Sequence, residues 1–323
     1  MSLSTLRLAL DWTPNSNHAG FYLALEKGWY KDAGIDLIIM PPSPDYSHDE
    51  TPARRVVHGT ADLCVCPSES LISCWSSDSG KVKPICIAAL LQNDTSAIAV
   101  PVSSGITSMA QLDGKKYASY GGRFEMKIIE QMIKDAGGEG TVIEVVPPKL
   151  QCFDSVLSGD CHATWVFMGW EGVQVRNKVD LKYFPVTASG VPYGYSPCLL
   201  ASPSLCAEKS ELLKTFLAVT AKAYQLAAAD PKAAALAMLN SGHPTLQDLG
   251  LKFLEDAQEF LSHGGHYLDG NGRWGTMSVD KWERFVNWLC ENECLAYRDG
   301  SLVSRHALSV GDMVSTSFLP DAI

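Results

Sequence analysis

The feature that most limits how this chain can fold is an alternation that runs through it twice. Short apolar segments that read as strands (residues 4–10, 34–40, 61–66 and 84–91) are separated by stretches with helical spacing. After a polar break, residues 97–101 read as a crossing strand. The pattern then starts again, with strands at 116–120, 142–146, 163–167 and 181–186 and helices at 109–114, 124–136 and 150–157 between them. Residues 196–201 read as the return crossing. Alternation of this kind predicts an α/β chain with mostly parallel sheets, each flanked by helices. Two crossings predict two lobes, one built from residues 1–96 plus 201–323 and the other from 97–200, with a ligand cleft between them. The last third reads as helices at 211–229, 231–239, 246–261 and 279–293, interrupted by a glycine-rich loop at 263–274.

Composition matters mainly for what it excludes. A chain of 323 residues with 46% hydrophobic and 19% charged content can bury a sizeable core in each lobe. Its net charge of −10, without a basic patch, argues against nucleic acid as a partner. Apolar runs such as residues 85–91 stop far short of the roughly 20 residues that span a bilayer, so membrane insertion is not expected. The first strand begins almost at once, which predicts no signal peptide and a cytoplasmic location, or a periplasmic one if a leader has been removed. Ten cysteines lie mostly in apolar segments (Cys64, Cys66, Cys86, Cys161, Cys198, Cys290), which reads as reduced thiols rather than a disulfide framework. Cys64 and Cys66 share one strand face with no second pair at zinc-like spacing, and a flexible loop around His263 and His266 is a poor ligand set. No metal is expected.

The most informative stretch is Leu10-Asp11-Trp12-Thr13-Pro14-Asn15-Ser16-Asn17-His18-Ala19-Gly20, where the first strand enters a polar turn and a helix follows. The helix is read from Phe21, Leu25 and Trp29 on one face. Asn15, Ser16 and Asn17 are good caps, so a helix N-terminus with free N–H groups is expected here. Open α/β sheets place ligands where a strand's carboxyl end meets a helix. Trp12 can be a stacking face or core, and the asparagines can bind or merely cap. His18 can touch ligand or brace the turn.

This run, with Ala24-Leu25-Glu26-Lys27-Gly28-Trp29-Tyr30 and Gly59-x-Ala61-Asp62, resembles the entry motif of the thiamine-pyrimidine family. That family includes formylaminopyrimidine-binding proteins and hydroxymethylpyrimidine phosphate synthases. The likeness thins out over the last hundred residues. It implies a two-lobed periplasmic-binding-protein-like (type II) fold whose cleft closes on a small-molecule pyrimidine by hinge motion.

Glu171 follows a strand in a glycine-flanked turn among Trp165, Phe167 and Trp170. A carboxylate beside aromatic rings suits a flat heterocycle bearing an amino group, and the resemblance implies a ligand role for a Trp-Glu turn here. The alternative is a solvated glutamate at a helix start. Ser68, Tyr193 and Tyr195 complete the ligand-binding set of Trp12, Asn15, His18, Trp165, Trp170 and Glu171. Gly121, Gly122 and Arg123, ahead of a helix, form a weaker anion-site candidate or simply a turn.

The departures from the family are specific. Where the synthases carry a lysine for pyridoxal phosphate and a reacting histidine, alignment on Ala61-Asp62 gives Cys66 and Ser70, and no lysine lies between Lys31 and Lys81. Of the synthases' cysteine-rich cluster only Cys198 is present. The expectation is therefore a binder without cofactor, serving thiamine biosynthesis, salvage or uptake, with a transporter permease as partner if exported. The alternatives are a divergent synthase-type enzyme and a cytosolic ligand sensor.

Overall fold

A computed structural model describes residues 3–42, 50–77, 82–148, 151–176, 179–297 and 299–321. The start of the helix expected from residue 150 lies outside the described residues. The chain divides into two compact units. The first comprises Met1–Asn93, Gly194–Val286 and Leu295–Ile323; the second comprises Asp94–Tyr193 and Asn287–Cys294. The chain thus changes unit ahead of each crossing strand, and residues 287–294 add a further passage that the sequence pattern does not reveal.

In the first unit, β1 (Ser4–Ala9) pairs in parallel with β2 (Ile35–Met40) and β3 (Leu63–Cys66). The order is β2-β1-β3-β10-β4, with β4 at Ile85–Ala89 and β10 at Cys198–Ala201. β10 runs antiparallel to both neighbours, Leu199 opposite Val65 and Leu200 opposite Cys86. The sheet is therefore parallel except for one returning strand. Residues 63–66 and 198–201 are buried without alternation, as expected for strands covered on both faces.

The helices here are α1 (Ala19–Glu26), α2 (Trp29–Asp32), α3 (Pro52–Val57) and α4 (Ser68–Trp75). The expected single helix through Phe21, Leu25 and Trp29 is corrected. Gly28 adopts φ +72° and ends α1, and Leu25 is 37% exposed while residues 19–24 are buried.

The second unit repeats the plan with β5 (Ser96–Pro101), β6 (Lys116–Ala118), β7 (Ile143–Val145), β8 (Ala163–Phe167) and β9 (Leu181–Pro185), ordered β7-β6-β8-β5-β9. β6 is parallel to β7 and β8, while β5 is antiparallel to β8 and β9. Its helices are α5 (Glu125–Asp135), α6 (Cys152–Leu157) and α7 (Glu171–Gln174). On α5 the buried face is Ile128, Ile129, Met132 and Ile133, preceded by Phe124; Ala136, at the helix end, is exposed.

The later helices are α8 (Pro203–Glu208), α9 (Ser210–Ala229), α10 (Pro231–Asn240), α11 (Pro244–His263), α12 (Val279–Glu291) and α13 (Val310–Met313). α1 packs against α9 and α10. Among the described residues no helix is long and apolar enough to cross a membrane.

Candidate functional site

The entry turn of the first unit is tied to itself. Asn15 Oδ1 accepts the Asn17 N–H at 3.0 Å, and the Asn15 N–H is donated to His18 Nδ1 at 3.1 Å. The result is a capped 3-10 turn over Ser16–His18. Because Nδ1 faces a donor it carries no proton, so Nε2 is the protonated nitrogen and donates to Asp11 Oδ1 at 2.9 Å. The free N–H groups expected here are corrected on two counts, since Asn15 and Asn17 both spend theirs inside the turn. His18 is fully buried with both nitrogens engaged, which makes it a brace. Trp12 and Asp11 stay partly exposed beside it.

Ser68 opens α4, fully buried, and its N–H donates to the Tyr195 carbonyl at 2.9 Å. Gly194 must lack a side chain, because a Cβ there would lie 2.4 Å from Ser68 Oγ. The Tyr195 hydroxyl accepts the Ser278 N–H at 2.8 Å, and Lys281 Nζ sits 3.9 Å from the Tyr195 ring centre. Tyr193 belongs to the second unit, its ring 5.5 Å from that of Trp165.

Glu171 begins α7, just past β8, the central strand of the second sheet. Its Oε2 accepts the Phe167 N–H at 3.0 Å. Burial pushes the carboxyl up to about 7, against the pull of that N–H, which favours the charged form. Tyr120 and Tyr183 are held above the ordinary phenol range by burial, with the Glu171 charge adding to it. Neither tyrosine was singled out by residue type, yet both stand near enough to feel the charge of this carboxyl. A group that titrates near neutrality can accept a proton-bearing ring nitrogen or donate to a bare one, while its other oxygen accepts an amine. Trp165 and Trp170 are buried close by in sequence.

The anion site expected at Gly121, Gly122 and Arg123 is corrected. Glu125 Oε2 accepts the N–H groups of Gly122 and Tyr120, both at 3.1 Å, while the Gly121 N–H goes to Ser119 Oγ at 2.9 Å. The turn does hold an anion, but it is the chain's own carboxylate. Glycine at residue 122 and glutamate three positions later is a helix-start spacing that could have signalled this. Arg123 is exposed, its guanidinium 5.3 Å from the Phe124 ring centre.

Pyridoxal phosphate does not fit the place that the resemblance points to. Cys66 is buried opposite Cys198, and burial raises its thiol well above the usual range, so it offers neither an amine nor a ready nucleophile. All ten cysteines are free, and among the described residues no cluster of three or more His, Cys, Asp or Glu could hold a metal ion. His266 stacks on Phe260, with ring centres 5.4 Å apart, and His263 is exposed.

Comparison with known proteins adds four findings. A family model described as NMT1/THI5 like matches residues 15–234. The formylaminopyrimidine-binding protein of Halalkalibacterium halodurans is 22% identical over 301 residues, covering 91% of this chain and 87% of that protein. The 4-amino-5-hydroxymethyl-2-methylpyrimidine phosphate synthase of Legionella pneumophila is 24% identical over 230 residues, covering 68% and 69%. In fold, the alkanesulfonate-binding protein SsuA of Xanthomonas axonopodis superimposes with a TM-score of 0.67 at 13% identity, covering 98% of this chain and 99% of that one.

Proposed function

Because the chain belongs to the NMT1/THI5-like family, we propose that it binds a thiamine-precursor aminopyrimidine of the formylaminopyrimidine or hydroxymethylpyrimidine type. The observation that carries this reading is Glu171: a desolvated carboxyl at the carboxyl end of the central strand of a mostly parallel sheet, among aromatic rings. An aminopyrimidine offers the complement, an amine beside a ring nitrogen on a flat face. The carboxyl reads that edge, and Trp165, Trp170 and Tyr193 give the surroundings a heterocycle needs. Trp12, in the first unit, is a further candidate contact in its own right, with Asn15 and His18 supporting the turn that presents it. The partner is a small molecule; a permease that receives it, and a location outside the cytoplasm, go with the transport version of this reading.

Calorimetry with the formylaminopyrimidine tests it. Glu171→Gln puts a donor where the ligand amine donates, and should weaken binding by about 2–4 kcal/mol, roughly 30- to 1,000-fold. An analogue lacking the amino group should bind the wild type weakly and the variant no worse. Equal loss of the amine's contribution in both proteins would sink the assignment of Glu171.

The synthase reading is favoured by the relatives that carry the synthase name, the Legionella protein and yeast proteins among them. It predicts a lysine adduct with pyridoxal phosphate after borohydride reduction. On the binder reading, a peptide map of the treated protein shows no specifically modified lysine.

A further inference from the structure

The turn between β6 and α5 has the backbone of an anion cradle, and its occupant carries a consequence for ligand choice. Glu125 is 8% exposed and draws donors from all sides. The Tyr117 hydroxyl donates to Oε1 at 2.9 Å and Ser119 Oγ to Oε2 at 3.2 Å, in addition to the N–H groups of Tyr120 and Gly122. Burial pushes the Glu125 carboxyl above its ordinary range, and these donors, two of them amides that can only donate, pull it back toward the charged form. The eleven-residue helix α5 adds its positive end to the same place.

This filled cradle stands beside the Glu171 turn. β6 and β8 are parallel neighbours, with Ala118 in register with Thr164, so the segments that follow them emerge side by side at the carboxyl end of the sheet. Tyr120 links the two, because its hydroxyl is raised by both the Glu171 and the Glu125 charges after the larger effect of burial. A ligand read by Glu171 therefore has a second carboxyl group nearby, and the amide cradle of this turn is already filled.

We propose that Glu125 is a specificity-determining residue that makes this chain take the unphosphorylated aminopyrimidine and reject its phosphate ester. This rests on the pyrimidine reading of the Glu171 site. A phosphate needs donors, and Tyr120, Gly121 and Gly122 have already committed theirs. A phosphate dianion would also bring like charge against Glu125 in a poorly solvated region. A hydroxymethyl or formylaminomethyl substituent carries no such charge.

Calorimetry on the full chain with 4-amino-5-hydroxymethyl-2-methylpyrimidine, its phosphate monoester and inorganic phosphate tests this. The alcohol should bind at least 100-fold more tightly than the ester, and inorganic phosphate at millimolar concentration should not compete. Glu125→Gln, which keeps the side-chain shape and removes the charge, should narrow the alcohol-to-ester ratio at least tenfold. An ester that binds the wild type as well as the alcohol overturns the proposal, as does an unchanged ratio in folded Glu125→Gln. If that variant does not fold, the wild-type ratio decides alone. If none of the alcohol, the ester and the formylaminopyrimidine binds, the pyrimidine reading itself fails and takes this one with it.

Discussion

Gln258 Nε2 donates to the carbonyl oxygen of Ser16 at 3.0 Å across 242 residues of chain. The pair ties α11 to the entry turn, and it does not act alone. The Tyr267 hydroxyl lies 2.6 Å from Gln258 Oε1 and 3.1 Å from Ser16 O; with one proton to give, its bond is the shorter one. Tyr224 on α9 donates to the Asn17 carbonyl at 2.7 Å. Behind it the Trp274 ring stacks in parallel at 4.7 Å. The helical last third, which carries none of the proposed ligand contacts, thus holds the turn that presents Trp12.

The first prediction tests that tie. Gln258→Leu preserves bulk but removes the Nε2 donor from Ser16 O and the Oε1 acceptor from Tyr267, leaving the Tyr267 hydroxyl to donate to Ser16 O. The expected loss is about 1–3 kcal/mol of stability, read from urea unfolding. A variant as stable as the wild type would show that the turn holds itself.

A second concerns space. A Cβ on Gly20 would lie 2.3 Å from Cδ2 of the Tyr224 ring, which is fully buried. Gly20→Ala should therefore destabilise by about 1–3 kcal/mol through overpacking. Tyr224→Phe removes only the hydroxyl bond and should cost about 1 kcal/mol. In a Tyr224→Leu background the Gly20→Ala penalty should shrink, because the clashing ring is gone. Penalties that simply add in the double variant would contradict the contact.

A third follows from the protonation pattern of His18. Since Nε2–H donates to Asp11 and Nδ1 accepts from Asn15, Asp11→Asn can still present an oxygen and should be mild. Asp11→Leu leaves a buried N–H unpaired and should cost about 1–3 kcal/mol. Nitrogen chemical shifts of His18 should report the proton on Nε2; a proton on Nδ1 would refute the capping geometry.

What the sequence made legible was local. The strand order of events, the cap at Asn15, the strand leading to Glu171 and the return at residues 198–201 all follow from spacing within a few residues. Missed features depend on reach or distance. The stop at Gly28 was hidden because Trp29 continues the apolar spacing beyond it. The passage at residues 287–294 was hidden because the helical pattern runs through it unbroken. The glycine turn was recognised as an anion cradle, but its filling by Glu125 depends on a side chain folding back. Gln258 and Tyr267 were invisible as partners of Ser16, since nothing local marks a contact so far along the chain.

The last prediction uses Glu171 itself. Its carboxyl is raised from the ordinary 4.5 to about 7 because burial disfavours the charge. Between those values the folded state holds a proton that the unfolded state has lost. The contribution of this residue to stability is therefore fully present below about pH 4.5 and is lost as pH rises through about 7. The shift corresponds to at most about 3 kcal/mol. Glu171→Gln, neutral throughout, should match the wild type near pH 4.5 and exceed it in stability at pH 8 by up to that amount. Urea unfolding of both proteins at the two pH values gives the difference directly, with every other titrating group common to both. A gap that does not widen from low to high pH would mean that the carboxyl is not desolvated in the folded chain. An amine-bearing ligand supplies the missing partner for the charged form, so saturating ligand should close most of the gap at pH 8 by stabilising the wild type more than the variant. A gap that persists under saturation would place the bound amine elsewhere.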